Sequence, residues 1–93
     1  MAQLLTDAEI QAQAKNLSGW TVADSKLQTT RKFQDFVAAI KFVNQLVEPA
    51  ESLGHHPDIE ISYNKVRITL TTHDAGGLTQ KDFDLAGILS QIS

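Results

Sequence analysis

The sequence predicts an α+β fold: a four-stranded antiparallel sheet with three helices packed on one face, in the order α-β-β-α-β-β-α. Three observations carry it. Residues 59–63 and 66–70 alternate apolar and polar side chains at the period of half-buried strands, and Asp35 to Leu53 repeats apolar residues at helical spacing. Two capping boxes, Thr6 with Glu9 and Thr79 with Asp82, mark helix starts towards either end.

The first helix should begin at about Asp7, with Leu5 and Ile10 at the spacing of a hydrophobic staple. Ile10, Ala14 and Leu17 form its stripe, and Ser18-Gly19 ends it. Trp20 and Val22 open a strand, Ala23 to Lys26 is a turn, and Leu27 to Phe33 is a second strand whose Thr, Arg and Lys residues keep one face wet. In the long helix, Phe36, Ala39, Ile40, Val43, Leu46, Val47 and Ala50 cover a face wider than one sheet contact needs. That breadth fits either two packing surfaces, one of them for another subunit, or a single broad core face. Pro49 removes a backbone donor and crowds the preceding turn, so a kink or loosening is expected near Glu48, and Gly54 terminates the helix.

Ile59, Ile61 and Tyr63 then alternate with Glu60 and Ser62, and Val66, Ile68 and Leu70 with Arg67 and Thr69. A hairpin turn at Asn64-Lys65 pairs Tyr63 with Val66, Ile61 with Ile68 and Ile59 with Leu70, and by extension His56 with His73. Lys is less usual than Gly in the second turn position, so a longer loop also fits. Asp74 to Gly77 is a flexible turn, Leu78 and Phe83 staple the second box, and the last helix runs from Gln80 towards Ile92. Leu85, Ile88, Leu89 and Ile92 lay it on the sheet.

At 93 residues the chain reads as a single domain, 1–93, with a modest core, and self-association to cover leftover apolar surface is expected. The net charge of −3 and the scattering of its eight basic residues argue against a nucleic-acid surface. Cysteine is absent, which removes disulfides, thiolate nucleophiles and Cys-based metal sites. No basic leader and no apolar run of membrane length is seen, so a cytoplasmic protein without membrane contact is expected.

All three histidines fall in one stretch, as His55-His56-Pro57 and His73. Imidazoles converging at one sheet end can protonate a leaving group, deprotonate a nitrogen and bind a polar ring. Pro57 biases His56 towards an extended conformation and so helps aim the pair. The same residues also fit a surface turn, or histidines satisfied by the backbone. Three imidazoles can hold zinc with one position open, but adjacent histidines diverge and helical ligand pairs sit four apart, so no metal is expected. Glu51, one turn before the pair, can orient an imidazole. Asp82 has a structural role as the acid of its capping box, and both roles can coexist.

The run Glu51-x3-His55-His56-Pro57, the aromatic Tyr63, then His73 and Asp82, resembles the signature of the pterin-4a-carbinolamine dehydratases. Gly19-Trp20, Asp35-Phe36 and YNKVRITLTTHDAGGLTQKD extend the resemblance over most of the chain. It implies a dehydratase that converts 4a-hydroxytetrahydropterin to quinonoid dihydropterin and water in pterin recycling, without metal or organic cofactor. It places the family's histidines on His55, His56 and His73 and its site carboxylates on Glu51 and Asp82. His55 and His56 are then the acid and base, in unassigned order, and His73 a contact to the bound pterin. Pro57 and Asp58 are added as orienting or substrate-binding positions. Animal members carry aromatic residues just after Pro57, where this chain has Asp58-Ile59-Glu60, so its pocket wall is less aromatic. The implied partners are a small-molecule pterin and a second copy of the chain, as a homodimer or homotetramer. Two alternatives are a non-enzymatic oligomeric binding module and action on another pterin, such as a molybdopterin-related compound.

Overall fold

The computed structural model describes residues 3–92. Strands β1 (Thr21–Ala23), β2 (Lys26–Lys32), β3 (Asp58–Ser62) and β4 (Lys65–Leu70) form one antiparallel sheet in the order β1-β2-β4-β3. The helices are α1 (Asp7–Ala14), α2 (Phe36–Gln45), α3 (Val47–Leu53) and α4 (Gln80–Leu89). Because α2 and α3 are the two halves of the expected long helix, the predicted order and fold class stand.

The core forms around β4, which is paired on both sides and buries Val66, Ile68 and Leu70 completely. Leu27 of β2 sits opposite Leu70 in the same layer. Ala39, Phe42 and Leu46 cover them from the long helix, and Phe83, Leu85, Ala86 and Leu89 from α4. Each fully buried large aliphatic or aromatic side chain contributes about 1.5–3 kcal/mol. The other side of the long helix is not covered: Phe36, Val37 and Val47 are exposed. Its broad apolar face is thus part core and part free surface.

Local chemistry sets the element ends. At α1, Thr6 Oγ1 accepts from the Glu9 N–H at 3.1 Å, and the Glu9 carboxylate accepts from the Thr6 N–H at 2.8 Å, completing the expected box. The helix stops at Ala14, so Leu17 lies in the turn beyond it yet still packs on the core. The β1–β2 turn places both Asp24 and Ser25 in the left-handed region, as a two-residue hairpin loop demands. Helix α4 ends at Leu89, short of Ile92, where Ser90 Oγ donates to the Ala86 carbonyl and accepts from the Trp20 indole N–H, both at 2.8 Å.

The long helix breaks at Leu46, earlier than Glu48. A proline ring in a continuous helix collides with the carbonyl four residues back, here that of Gln45. The chain resolves this by tightening at Leu46, whose N–H bonds to the Val43 carbonyl at 3.0 Å, and by restarting as α3 with Pro49 in its first turn. A first-turn residue has no intrahelical acceptor to lose.

The hairpin register also differs from expectation. The turn is Tyr63-Asn64, so Ile61 pairs with Val66 and Ile59 with Ile68, two residues from the expected alignment, and His56 does not face His73. Asn64 decides it. Its carbonyl accepts from the Phe33 N–H at 2.7 Å and its side-chain amide donates to the Phe33 carbonyl at 2.9 Å, which pins it beyond the end of β2. Lys65 therefore enters β4 opposite Ser62 and Lys32, and Tyr63 becomes an exposed turn residue. Among the described residues, no helix is long and apolar enough to cross a membrane.

Candidate active site

The site begins at the C-terminus of α3. Gly54 adopts the left-handed conformation, with φ of 60°, which places its N–H on the Glu51 carbonyl and the His55 N–H on the Ala50 carbonyl at 3.0 Å. This pair of bonds is a Schellman closure, and it needs a residue without a Cβ penalty at Gly54. Its consequence is that His55 leaves the helix with its backbone fixed and turns inward.

His55 is almost completely buried and its Nε2 lies 2.5 Å from Oδ1 of Asp82, which is fully buried in the first turn of α4. The other carboxylate oxygen of Asp82 accepts from the Thr72 hydroxyl at 2.8 Å and from the Thr79 N–H at 2.9 Å. Since the one hydroxyl proton of Thr72 goes to Asp82, the 2.8 Å contact between the Thr72 and Thr79 hydroxyls is donated by Thr79. Among the described residues, no buried side-chain polar atom lacks a partner. Asp82 thus closes the α4 box and orients His55 at once, so one ring nitrogen of His55 is committed and the other is the one open to a bound molecule.

Next in the chain, His56 follows a different course. Its Nε2 pairs with Oε2 of Glu51 on α3, with both side chains about two-thirds exposed. His73 opens a short 3₁₀ turn, His73–Ala75, inside a loop closed by paired bonds between Thr72 and Gly77. The three imidazoles line one open cleft of about 280 Å³, together with Thr72, Asp74 and Lys81. Their convergence is achieved without the His56–His73 pairing that the sequence suggested. A larger hollow of about 600 Å³ between the N-terminal segment and α4 shares Lys81 but contains no histidine.

The remaining sequence candidates separate. Pro57 lines a neighbouring apolar groove of about 260 Å³, with His56 and Glu51 on its rim and Val43, Val47 and Ile59 in its wall. Asp58 is exposed on β3, paired with Thr69, and lines neither space. Several residues that line the cleft are not sequence candidates, Thr72, Asp74 and Lys81 among them. Thr72 reads as one more polar position at a strand end, Asp74 as turn chemistry, and only the place of Lys81 beside Asp82 in the first turn of α4 hinted at proximity. No three His, Asp or Glu side chains among the described residues form a ligand-like group for a metal ion.

The family model described as pterin 4 alpha carbinolamine dehydratase matches residues 3–92. The chain belongs to this dehydratase family. A relative in Trichormus variabilis, named "putative pterin-4-alpha-carbinolamine dehydratase", is 78% identical over the full length of both chains. One in Nostoc sp. with the same name is 77% identical, again over the whole of both. Among solved structures, one titled transcriptional coactivator/pterin dehydratase from Brucella melitensis superposes with a TM-score of 0.87 at 35% identity, covering 92% of this chain and 94% of that one. A pterin dehydratase-like protein identified as a RuBisCO assembly factor in the α-carboxysome reaches a TM-score of 0.60 at 22% identity, covering 80% and 89%, and shares the fold alone.

Proposed function

We propose that this member of the pterin-4a-carbinolamine dehydratase family is an active dehydratase that takes 4a-hydroxytetrahydropterin to quinonoid dihydropterin and water. The observation that supports this most is the convergence of three imidazoles in one cleft, two of them each held by its own carboxylate. The reaction needs a proton delivered to the 4a-oxygen as the C–O bond breaks towards it. The adjacent ring nitrogen supplies the electron pair for the new C=N bond, and its proton passes to a base. His55 and His56 serve as that acid–base pair, His73 contacts the bound ring, and Asp82 and Glu51 fix the orientation of the first two. Pairs of this kind typically supply about 10²–10⁴-fold in rate. No bound metal or organic cofactor enters the scheme, and the physiological setting is pterin recycling, with two or more copies of the chain associated.

The test is the dehydration rate of 4a-hydroxytetrahydropterin, generated by a coupled aromatic amino-acid hydroxylase, with wild type, His56→Ala and no protein. The proposal expects a wild-type acceleration that largely disappears in the variant. A wild-type rate equal to the uncatalysed background on this substrate, with acceleration of another pterin instead, would move the same site to a different physiological substrate.

One observation favours a second reading, an oligomeric binding module: Phe36, Val37 and Val47 leave the outer side of the long helix apolar and exposed. In that case Val37→Asp abolishes function while His56→Ala preserves it, and the dehydratase predicts the reverse for His56.

A further inference from the structure

Of the three carboxylates at or behind the histidines, only Asp74 lines the cleft itself, and their hydrogen bonds distinguish them. Both oxygens of Asp82 are consumed, by His55 and by Thr72 with Thr79. Glu51 is paired with His56 and lines the neighbouring apolar groove instead. Asp74, exposed on the 3₁₀ turn directly after His73, lines the same cleft and makes no side-chain hydrogen bond or ion pair among the described residues. Lys81 faces the cleft from α4, also without a carboxylate within ion-pair distance among the described residues. Two opposite charges line a space of about 280 Å³ and do not neutralise each other.

A pterin presents along its pyrimidine edge two adjacent donors, the N3–H and the 2-amino group, and next to them an acceptor, the 4-oxo oxygen. A free carboxylate offers two acceptors side by side, the complement of that donor pair, and an ammonium complements the oxygen. Resting on the dehydratase reading, we propose that Asp74 reads the 2-amino and N3–H edge of the ring, with Lys81 on the 4-oxo group, and so selects 2-aminopteridines over 2-oxopteridines. The selection is separate from the acid–base chemistry. In a 2-oxopteridine the amino group is replaced by a carbonyl, which sets an acceptor against the carboxylate.

The complementarity predicts an exchange of preference. Asp74→Asn presents one acceptor and one donor, which matches the N3–H and 2-oxo edge of a lumazine better than the two donors of a pterin. Binding of 6-methyl-7,8-dihydropterin and 6-methyl-7,8-dihydrolumazine is to be measured by fluorescence titration on wild type and on Asp74→Asn, with thermal unfolding as a check on folding. The expected result is that wild type prefers the pterin by about tenfold or more, the worth of one charge-assisted hydrogen bond, and that the variant loses or reverses this preference by gaining affinity for the lumazine. A merely structural role for Asp74 cannot produce that gain. Pterin binding with the same pterin-to-lumazine ratio in both proteins would overturn the inference and leave the dehydratase reading intact. Failure of wild type to bind the pterin at all would overturn both.

Discussion

Two histidine–carboxylate pairs stand a single residue apart in the chain and differ in almost everything else. His55–Asp82 is buried, joins the end of α3 to the start of α4, and belongs to a network that includes Thr72 and Thr79. His56–Glu51 is exposed, spans one helical turn of sequence, and has no further side-chain hydrogen bond among the described residues. The first pair therefore serves folding and chemistry together, because removing either member leaves buried polar groups unmatched. The second can serve chemistry alone, since exposed pairs contribute only about 0–1 kcal/mol to stability.

The sharpest way to break this comparison is Asp82→Ala. It leaves a nearly buried imidazole nitrogen, a buried hydroxyl and the Thr79 N–H without their acceptor, and it deletes half of a capping box. The expected loss is about 3–5 kcal/mol, read as a lower urea midpoint, with activity falling alongside. A variant within about 1 kcal/mol of wild type would mean that the network is relieved by water and that burial is not what separates the two pairs.

His56→Ala tests the opposite claim. Its side chain is largely exposed, so the urea midpoint should move by no more than about 0.5 kcal/mol, while kcat falls by about 10²–10⁴-fold. Retained activity would confine the acid–base work to His55 and His73. Comparable loss of stability would show that the exposed pair is structural after all.

The sequence made the frame legible and the division of labour between the two pairs much less so. The starts of α1 and α4 follow from local chemistry, as the bonds between Thr6 and Glu9 and from the Thr79 N–H to Asp82 illustrate, because a capping box is complete within four residues. The hairpin register departs from the one its alternation predicts because Asn64 is held by Phe33, a residue 31 positions away, and no pattern within the hairpin encodes that bond. The break in the long helix falls earlier than Glu48 because a proline acts on the carbonyl four residues before it. Likewise, His55 and His56 look equivalent as neighbours. It takes the left-handed Gly54 and the position of α4 to turn one inward and leave the other in water. Thr72 is the plainest omission, since its role appears only when α4 is packed against the end of β4.

Thr72→Val sharpens the comparison from inside the buried network. The substitution keeps the shape and deletes the hydroxyl that donates to Asp82 and accepts from Thr79. We expect about 1–3 kcal/mol of destabilisation, measured by urea unfolding. Activity should fall less than in Asp82→Ala, because the contact from Asp82 to His55 remains. A loss of activity as large as that of Asp82→Ala at near-normal stability would make Thr72 itself a group in contact with substrate.

The smallest effect is expected at Glu51, and it separates the pairs by salt instead of by size. Glu51→Gln keeps the length of the side chain and removes the charge that faces His56. Stability should change by less than about 0.5 kcal/mol, and kcat by no more than about tenfold. Because the pair is solvent-exposed, its charge is screened as the Debye length shrinks from ~10 Å at ~0.1 M salt to ~3 Å at ~1 M. The ratio of wild-type to Glu51→Gln activity should therefore fall towards unity over that range. The corresponding ratio for Asp82→Asn should hold, since water and ions do not reach a fully buried carboxylate. If the Glu51 ratio proved equally resistant to salt, the bound substrate would have to be covering the His56–Glu51 pair, and the two sites would be alike in the working complex though unlike in the free protein.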